Sequence, residues 1–306
     1  MSSNFIEWVI ILDKVCTIIV TYNIAEDIFK CLDAIKTQVD EVVIVDNGSN
    51  SKTLEVLDSI KDSNVKVIKN KVNLGIAAAL NIGVEYAIEK GYPWVITLDH
   101  DSEAEKNMVA SMFEIYNSIP ESERENVVSI FPTYVEKGYI NGNDISKANY
   151  TQSKEFVYVN EEITSGNLVK TSVFTKVGKF EEKLFIDYVD HDFCLRLIEH
   201  GYKLIQCKNA ILFHSLGVSK ERYILGKRIE YTNHSPLRRY YITRNRFYVW
   251  NKYNNVDKEY IDTDKACFRN ETIKIILFEA NKIQKIRMII KGARDFRRNT
   301  FGSFKS

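Results

Sequence analysis

The chain is short of proline, with 4 in 306 residues, and it has no apolar run long enough to cross a bilayer. Its nearest N-terminal candidate, residues 5–12, is brief, contains Glu7, and lacks the basic flank and small-residue cleavage site of a secretory signal. That segment is expected as an extra strand or an interfacial anchor. No internal repeat and no low-complexity tract is present, which excludes solenoids and long structureless linkers. Cysteine is scarce: Cys16, Cys31, Cys194, Cys207 and Cys267 are odd in number and follow no metal-ligand spacing. A disulfide framework and a thiolate metal site are thereby excluded, and a reducing, cytoplasmic setting fits best.

What remains is an ordinary globular composition, with charged residues at 27% and enough length for one large domain or one domain plus an appendage. The net charge of +1 hides an asymmetry. Residues 216–306 carry 21 Lys and Arg against 9 Asp and Glu, whereas residues 1–215 carry 21 against 32. An acidic body with a basic tail calls for an anionic partner, such as a membrane surface or an anionic acceptor. Nucleic acid is disfavoured, because no recognition motif is present and the body is acidic.

The first hundred residues alternate between apolar, β-branched runs and helical periods. Strands are predicted at 15–20, 41–45, 65–68 and 93–98, and helices at 25–36, 76–89 and 104–116. That alternation is the pattern of a doubly wound parallel sheet, whose right-handed crossovers gather the strand ends on one edge. From 127 to 213 the pattern is mixed, with strands at 127–131, 156–159, 204–207 and 211–213 and a helix at 190–200. The basic tail is read as a helix at 236–252, a polar connection at 254–264, and a second helix at 271–298. Ile276, Ala280, Ile283, Ile286, Ile290, Ala293 and Phe296 form one apolar stripe along that second helix.

Chemistry concentrates at the predicted strand ends. Asp99-His100-Asp101 follows the apolar run Trp94-Val95-Ile96-Thr97-Leu98, where open α/β sheets bind ligands. Two carboxylates at i and i+2 can converge on one hard cation, which would offset a diphosphate. Three more turns stand at the same edge: Thr21-Tyr22-Asn23, Asp46-Asn47-Gly48-Ser49, and Asn73-Leu74-Gly75, the last opening a helix whose N-terminus could face phosphate. Each alone is an ordinary turn or cap; four in this order are not.

With these elements the sequence resembles the nucleotide-sugar glycosyltransferases of family 2, which have the GT-A fold. The resemblance rests on Thr17 to Asn23, Val45 to Ser49, Asn73-Leu74-Gly75 with Asn81-Ile82-Gly83, and Leu98 to Asp101. It continues through Ser165-Gly166-Asn167, Phe185 to Arg196, Gly201-Tyr202, and Phe213-His214-Ser215-Leu216-Gly217. It spans about residues 14–250. Phe185-Ile186-Asp187-Tyr188-Val189-Asp190, with Arg239-Tyr240-Tyr241 and Arg244-Asn245, is most similar to bacterial rhamnosyltransferases.

The resemblance implies a GT-A catalytic domain at 1–215, its donor half at about 14–101 and its acceptor half at about 102–215, followed by a basic helical region at 216–306. It places the donor on Thr21, Tyr22, Asn23, Asp46, Asn73, Gly75 and Asp99, with Asp46 accepting from the imide of uracil or thymine. It implies Mg²⁺ or Mn²⁺ on Asp101, with Asp99 and His214 completing the metal site. Asp190 is the implied catalytic base, and Gly166, Asn167, Asp187, Tyr240 and Arg244 are the implied acceptor contacts. Asp192, four residues before Arg196, is read as a structural ion pair.

The implied activity is single displacement with inversion, moving L-rhamnose from dTDP-rhamnose to a polysaccharide or lipid-linked glycan at the inner membrane face. UDP-galactofuranose, UDP-glucose or another UDP-hexose is the alternative donor, and a silent nucleotide- or glycan-binding module is the alternative of another class. Two features of the family are missing. Ala77-Ala78-Ala79-Leu80 stands where many members carry an Arg, and there is no Gln-x-x-Arg-Trp box of processive synthases. One sugar per acceptor is therefore expected, with the phosphate contact supplied from elsewhere.

Overall fold

The computed structural model describes residues 13–136, 155–214, 219–224 and 227–305. Residues 5–12 and the 215/216 domain boundary lie outside the described residues. The elements run β1 (Val15–Thr21), α1 (Ile28–Ile35), β2 (Glu41–Asp46), α2 (Ser51–Ser59), β3 (Val65–Lys69), α3 (Ile76–Glu89), β4 (Trp94–Asp99) and β5 (Glu103–Ala104). Then come α4 (Met108–Ser118), α5 (Glu121–Arg124), β6 (Val127–Glu136), β7 (Phe156–Val159), β8 (Asn167–Lys170), α6 (Ser172–Val177), α7 (Val189–Glu199) and β9 (Lys203–His214). A hairpin of β10 (Ser219–Ile224) and β11 (Lys227–Thr232) leads to α8 (Pro236–Tyr253), α9 (Lys258–Phe278) and α10 (Lys282–Arg297).

Among the described residues the main sheet has nine strands, in the order β3-β2-β1-β4-β8-β6-β9-β5, with β7 paired to β9. The first four are parallel; β8 joins antiparallel to β4, which ends the parallel half. β1 is buried from end to end, as its continuous β-branched run requires of a strand covered on both faces. Its side chains alternate. Ile19 packs in one layer with α1 and α4, and Ile18 and Val20 in the other with α3 and α7. The register sets Thr21 opposite Asp46 and Val20 opposite Asp99, so the three strand ends that carry polar residues finish side by side.

The tail departs from the reading above in two places. Residues 258–278 form one helix, started by Asp257, whose carboxylate accepts from the Tyr260 amide at 2.9 Å; the connection is confined to 254–257 and the rest of the polar stretch is helix. The helix expected over 271–298 is two helices, broken at Glu279-Ala280-Asn281, with Asn281 left-handed (φ 53°). α10 also turns an unexpected face inward. Its buried residues are Lys285, Gly292 and Asp295, while Ile283 and Ile290 of the apolar stripe are 70% and 62% exposed. Gly292 sets this rotation, because a Cβ there would stand 2.6 Å from the Tyr240 carbonyl oxygen of α8. The inward polar groups are paired: Lys285 with Glu279 at 2.8 Å, and Asp295 with the Tyr240 hydroxyl at 2.9 Å and Lys291 at 2.9 Å.

Candidate active site

Asp99, Asp101 and His214 come from the ends of β4 and β9 and the turn after β4. One ligand atom from each lies within 4.8 Å of the others. Burial, reinforced by the charge of Asp101, pushes the Asp99 carboxyl up to about 6. Two carboxylates and an imidazole are a donor set that suits a hard or borderline divalent cation, and these three residues fit one.

The support behind them was not legible in the sequence. The Ser102 hydroxyl bonds His214 Nδ1 at 2.8 Å and the Ser165 hydroxyl at 2.7 Å, and Ser165 Oγ accepts from the Asp99 amide at 3.0 Å. These two buried serines tie the Asp99 backbone and the His214 ring to one frame, fixing which ring nitrogen is engaged. Their signal is weak, since a buried serine has no periodicity of its own.

A cavity of about 570 Å³ opens beside this cluster, lined by Thr21, Tyr22, Asn47, Asn73, Gly75 and Asp190 among others. Its polar rim is knitted by side chains. Asn47, named above only as part of the turn after Asp46, accepts from the Leu74 amide at 2.9 Å and donates to the Gly75 carbonyl at 3.1 Å. Asn73 accepts from the Gly75 amide at 2.9 Å. Asn23 lies outside the cavity lining; it accepts from the Asn50 amide at 2.8 Å and its own amide donates to Ser49.

Asp46 is fully buried. Its carboxylate accepts from the Thr21 hydroxyl at 3.2 Å and from the amides of Gly48 and Ser49 at 3.2 and 3.0 Å. It organises the rim through Thr21 and this turn.

The N-terminus of α3 is partly spoken for. The Ile76 amide donates to the Phe185 carbonyl at 2.7 Å, so the helix start grips the 185–188 loop. Gly75 has φ +89°, and a Cβ there would meet Phe185 O at 2.6 Å, so only glycine permits this approach.

Asp190, in the first turn of α7, lines the cavity, with its carboxylate accepting from the His191 amide at 2.9 Å. Burial opposes protonation of the His191 ring. The carboxylates of Asp190, Glu161 and Asp264 outweigh it and hold the imidazolium up to about 9, so a positive ring accompanies Asp190 at neutral pH. Asp192 is structural, as its spacing predicts, bound by Arg196 at 2.8 Å and by Lys252 and the Tyr253 hydroxyl.

Five implied acceptor contacts are scattered. Asp187 is next to Asp190, with Oδ1 bound by Arg238 at 3.1 Å and Oδ2 buried without a partner. Gly166 lies in the turn before β8, its amide donating to the Thr97 carbonyl at 2.6 Å, and Asn167 opens β8, where its Oδ1 accepts from the Ser129 hydroxyl. Tyr240 and Arg244 are core residues and line neither cavity around Asp190. The Arg244 guanidinium is spent on the carbonyls of Gly302 and Leu184, at 2.8 and 2.9 Å.

The family model of Glycosyl transferase family 2 matches residues 16–163. The dTDP-rhamnosyl transferase RfbF of Shigella flexneri is 31% identical over 295 residues, covering 92% of this chain and 95% of that protein. The low-salt glycan biosynthesis hexosyltransferase Agl10 of Haloferax volcanii is 26% identical, with 92% and 90% covered. The galactofuranosyltransferase GlfT1 of Mycobacterium tuberculosis is 23% identical, with 78% and 82% covered. Among solved structures, GalNAc-T7 with UDP, GalNAc and Mn²⁺ superposes with a TM-score of 0.56 at 14% identity, over 94% of this chain and 56% of that one. TarS of S. aureus does so with 0.53 at 18% identity, over 93% and 49%, so this chain spans about half the length of either structure. These superpositions carry the GT-A fold, and the full-length similarity to RfbF carries the family. The chain belongs to glycosyl transferase family 2 and is a rhamnosyltransferase-like glycosyltransferase.

Proposed function

We propose that the chain transfers one L-rhamnosyl unit from dTDP-β-L-rhamnose to a hydroxyl of a glycan acceptor, with inversion at the anomeric carbon. The observation that carries this reading is the position of Asp190, a carboxylate that lines the same cavity as Asp99, Asp101 and His214 and is near enough for its charge to raise the Asp99 carboxyl. The nucleoside lies along Thr21, Tyr22 and the Asn47–Asn73 rim, with the diphosphate toward the acidic cluster. Mg²⁺ or Mn²⁺ held by Asp99, Asp101 and His214 would supply Lewis-acid stabilisation of the departing dTDP. Asp190 accepts the proton of the acceptor hydroxyl as that oxygen attacks C1. The C1–O bond to the diphosphate breaks on the opposite face, and an α-L-rhamnoside results.

Arg238 is the one Lys or Arg among the described residues lining the donor cavity. It supplies the phosphate contact that Ala77, Ala78 and Ala79 leave open. The reading favours dTDP-rhamnose through RfbF, whose name carries that activity. Turnover of a dTDP-, UDP- and GDP-sugar panel with Mg²⁺, Mn²⁺ or EDTA tests it. EDTA-sensitive release of dTDP from dTDP-rhamnose is expected; response to a UDP-sugar alone would replace the donor.

We further propose that the acceptor is presented at the cytoplasmic face of an anionic membrane. Among the described residues no helix is long and apolar enough to cross a bilayer. The outer face of α10, however, alternates exposed Ile283 and Ile290 with Arg287 and Arg294, the composition of a helix lying on anionic lipid. Co-sedimentation with phosphatidylglycerol vesicles is expected for the native chain and lost on Ile283→Asp with Ile290→Asp; binding that survives both changes would remove the membrane from the account.

A further inference from the structure

A further cavity, of about 280 Å³, lies at the C-terminal end of α10 and shares no lining residue with the two cavities around Asp190. It exists because the chain doubles back after that helix. Asn299, left-handed at φ 54°, makes the turn, and the Thr300 amide donates to the Asp295 carbonyl at 2.8 Å. The returning segment is then pinned to α8 and to the loop before α7. The Gly302 amide donates to the Lys183 carbonyl at 2.8 Å, and the Gly302 carbonyl accepts from Arg244 at 2.8 Å. The Phe304 amide donates to the Tyr241 hydroxyl at 2.6 Å, and its ring meets Tyr240 edge-on. The cavity is therefore shaped by the fold before anything occupies it.

Its charge is lopsided. Lys291, Arg294, Arg298 and Lys305 line it against a single carboxylate, Asp295. That carboxylate is taken, since Oδ2 accepts from Lys291 and from the Tyr240 hydroxyl, each at 2.9 Å. Arg294 stands 4.0 Å from Oδ1, and among the described residues the side chains of Arg298 and Lys305 enter no ion pair. The donor cavity has the opposite balance, with Asp99, Asp101 and Asp190 against Arg238.

Cations at a helix C-terminus complement its dipole, which accounts for Arg294 and Arg298 at the end of α10. It does not account for Lys305, which the doubled-back segment returns to the same walls. Three like charges around one small space repel, and an anion between them reverses the sign of that interaction. A phosphate group carries about 1.5 to 2 negative charges at neutral pH, a closer match to three cations than one carboxylate. Guanidinium, ammonium and hydroxyl donors are the set that binds its oxygens, and Thr300 and Ser303 supply the hydroxyls. Pockets for drug-sized molecules start at about 300 Å³, so this one suits a small charged group rather than a whole nucleotide.

We infer that this cavity binds a phosphomonoester or diphosphate group, with Arg294, Arg298 and Lys305 supplying the charge and Thr300 and Ser303 donating hydrogen bonds. Two sources present that chemistry, a lipid headgroup and a soluble phosphate compound. Arg294 lies four residues after the exposed Ile290, so the mouth of the cavity continues the outer face of α10 proposed to lie on the membrane. No group of the transfer reaction takes part, and the site stands or falls independently of that reaction.

The test is calorimetric titration of the full chain with sodium pyrophosphate, in EDTA and at low salt. One variant, Arg298→Gln with Lys305→Gln, removes the two unpaired cations of the cavity. A second, Arg287→Gln with Arg297→Gln, removes two exposed cations of α10 that do not line it. Pyrophosphate is expected to bind the native chain and the second variant alike, and to bind the first about tenfold more weakly at an unchanged melting temperature. Phosphatidylcholine vesicles carrying phosphatidic acid or phosphatidylglycerol, at equal surface charge, separate the two sources. A preference for the phosphatidic acid monoester that disappears in the first variant identifies a lipid headgroup. Pyrophosphate binding lost in that variant without any vesicle preference identifies a soluble phosphate compound. No pyrophosphate binding, binding unchanged in the first variant, or an equal loss in the second would overturn the inference.

Discussion

The side-chain amide of Asn245, midway along α8, donates to the main-chain carbonyl of Asp187 at 2.9 Å, three residues before Asp190. The same nitrogen reaches the carbonyls of Leu184 and Ile186, and Phe185, Asp187 and Tyr188 all have positive φ. Non-glycine residues in that region persist only where surrounding contacts hold them. α8 thus clamps the loop that leads into Asp190, the proposed base. Asn245→Ala, which withdraws this donor from the Ile186 and Asp187 carbonyls while Leu184 keeps Arg244, is expected to cost about 2–3 kcal/mol in urea unfolding. It is also expected to lower kcat at least 100-fold, because a misplacement of about 1 Å at a reacting group costs that much. A loss of stability with full kcat would show that the loop does not position the base.

Asp190→Asn separates chemistry from folding. The side chain is about a quarter exposed, and its carboxylate accepts from the His191 amide and stands 3.9 Å from the His191 ring, which Glu161 also holds. The expected outcome is a fall in kcat of roughly 10²–10⁴ with donor affinity and melting temperature close to native. Steady-state kinetics with calorimetry checks both.

The cation cluster makes its own prediction. His214→Ala removes one of the three proposed ligands and one of the two partners of Ser102, so the Mn²⁺ concentration giving half-maximal activity should rise about 10- to 100-fold. Ser102→Ala should raise it less, by freeing the ring without removing it. Equal metal titrations in all three proteins would dissolve the assignment.

Glu162 governs part of the pH dependence of stability. Burial, then the charge of Glu161, pushes its carboxyl from 4.5 up to about 7. Between those values the folded chain binds more protons than the unfolded one, so this group's contribution is present at low pH and lost as pH rises through 7. Glu162→Gln keeps an oxygen for the Gln206 amide, which the native carboxylate receives at 3.0 Å. The variant is expected to melt higher than native at pH 8 and to flatten the decline between pH 5 and 8. Each kcal/mol recovered corresponds to roughly 2–4 °C in a chain of this size.

The nucleotide half was readable because its signals are local. A β-branched run such as residues 15–20 has one stable use, a buried strand, and the polar residues that interrupt such runs had to fall at one edge. The helix over 76–89 stands where its periodicity put it. What escaped depends on partners distant in sequence. Ser102 and Ser165 meet across 63 positions, and the role of Arg244 follows from carbonyls 58 and 60 positions away. α10 shows the same limit. Its apolar stripe is a sound local pattern, yet the Gly292 contact with α8 and the Lys285–Glu279 pair leave Ile283 and Ile290 outward while Phe296 packs against Phe247.

The most direct test of the transfer reaction is the anomeric configuration of its product. Purified chain, dTDP-β-L-rhamnose, Mn²⁺ and a neutral glycoside acceptor would be incubated, and the new linkage read by NMR from its one-bond C1–H1 coupling. An α-L-rhamnoside, absent in Asp190→Asn, is the predicted result; a β-linked product, or transfer undiminished in that variant, would contradict the account.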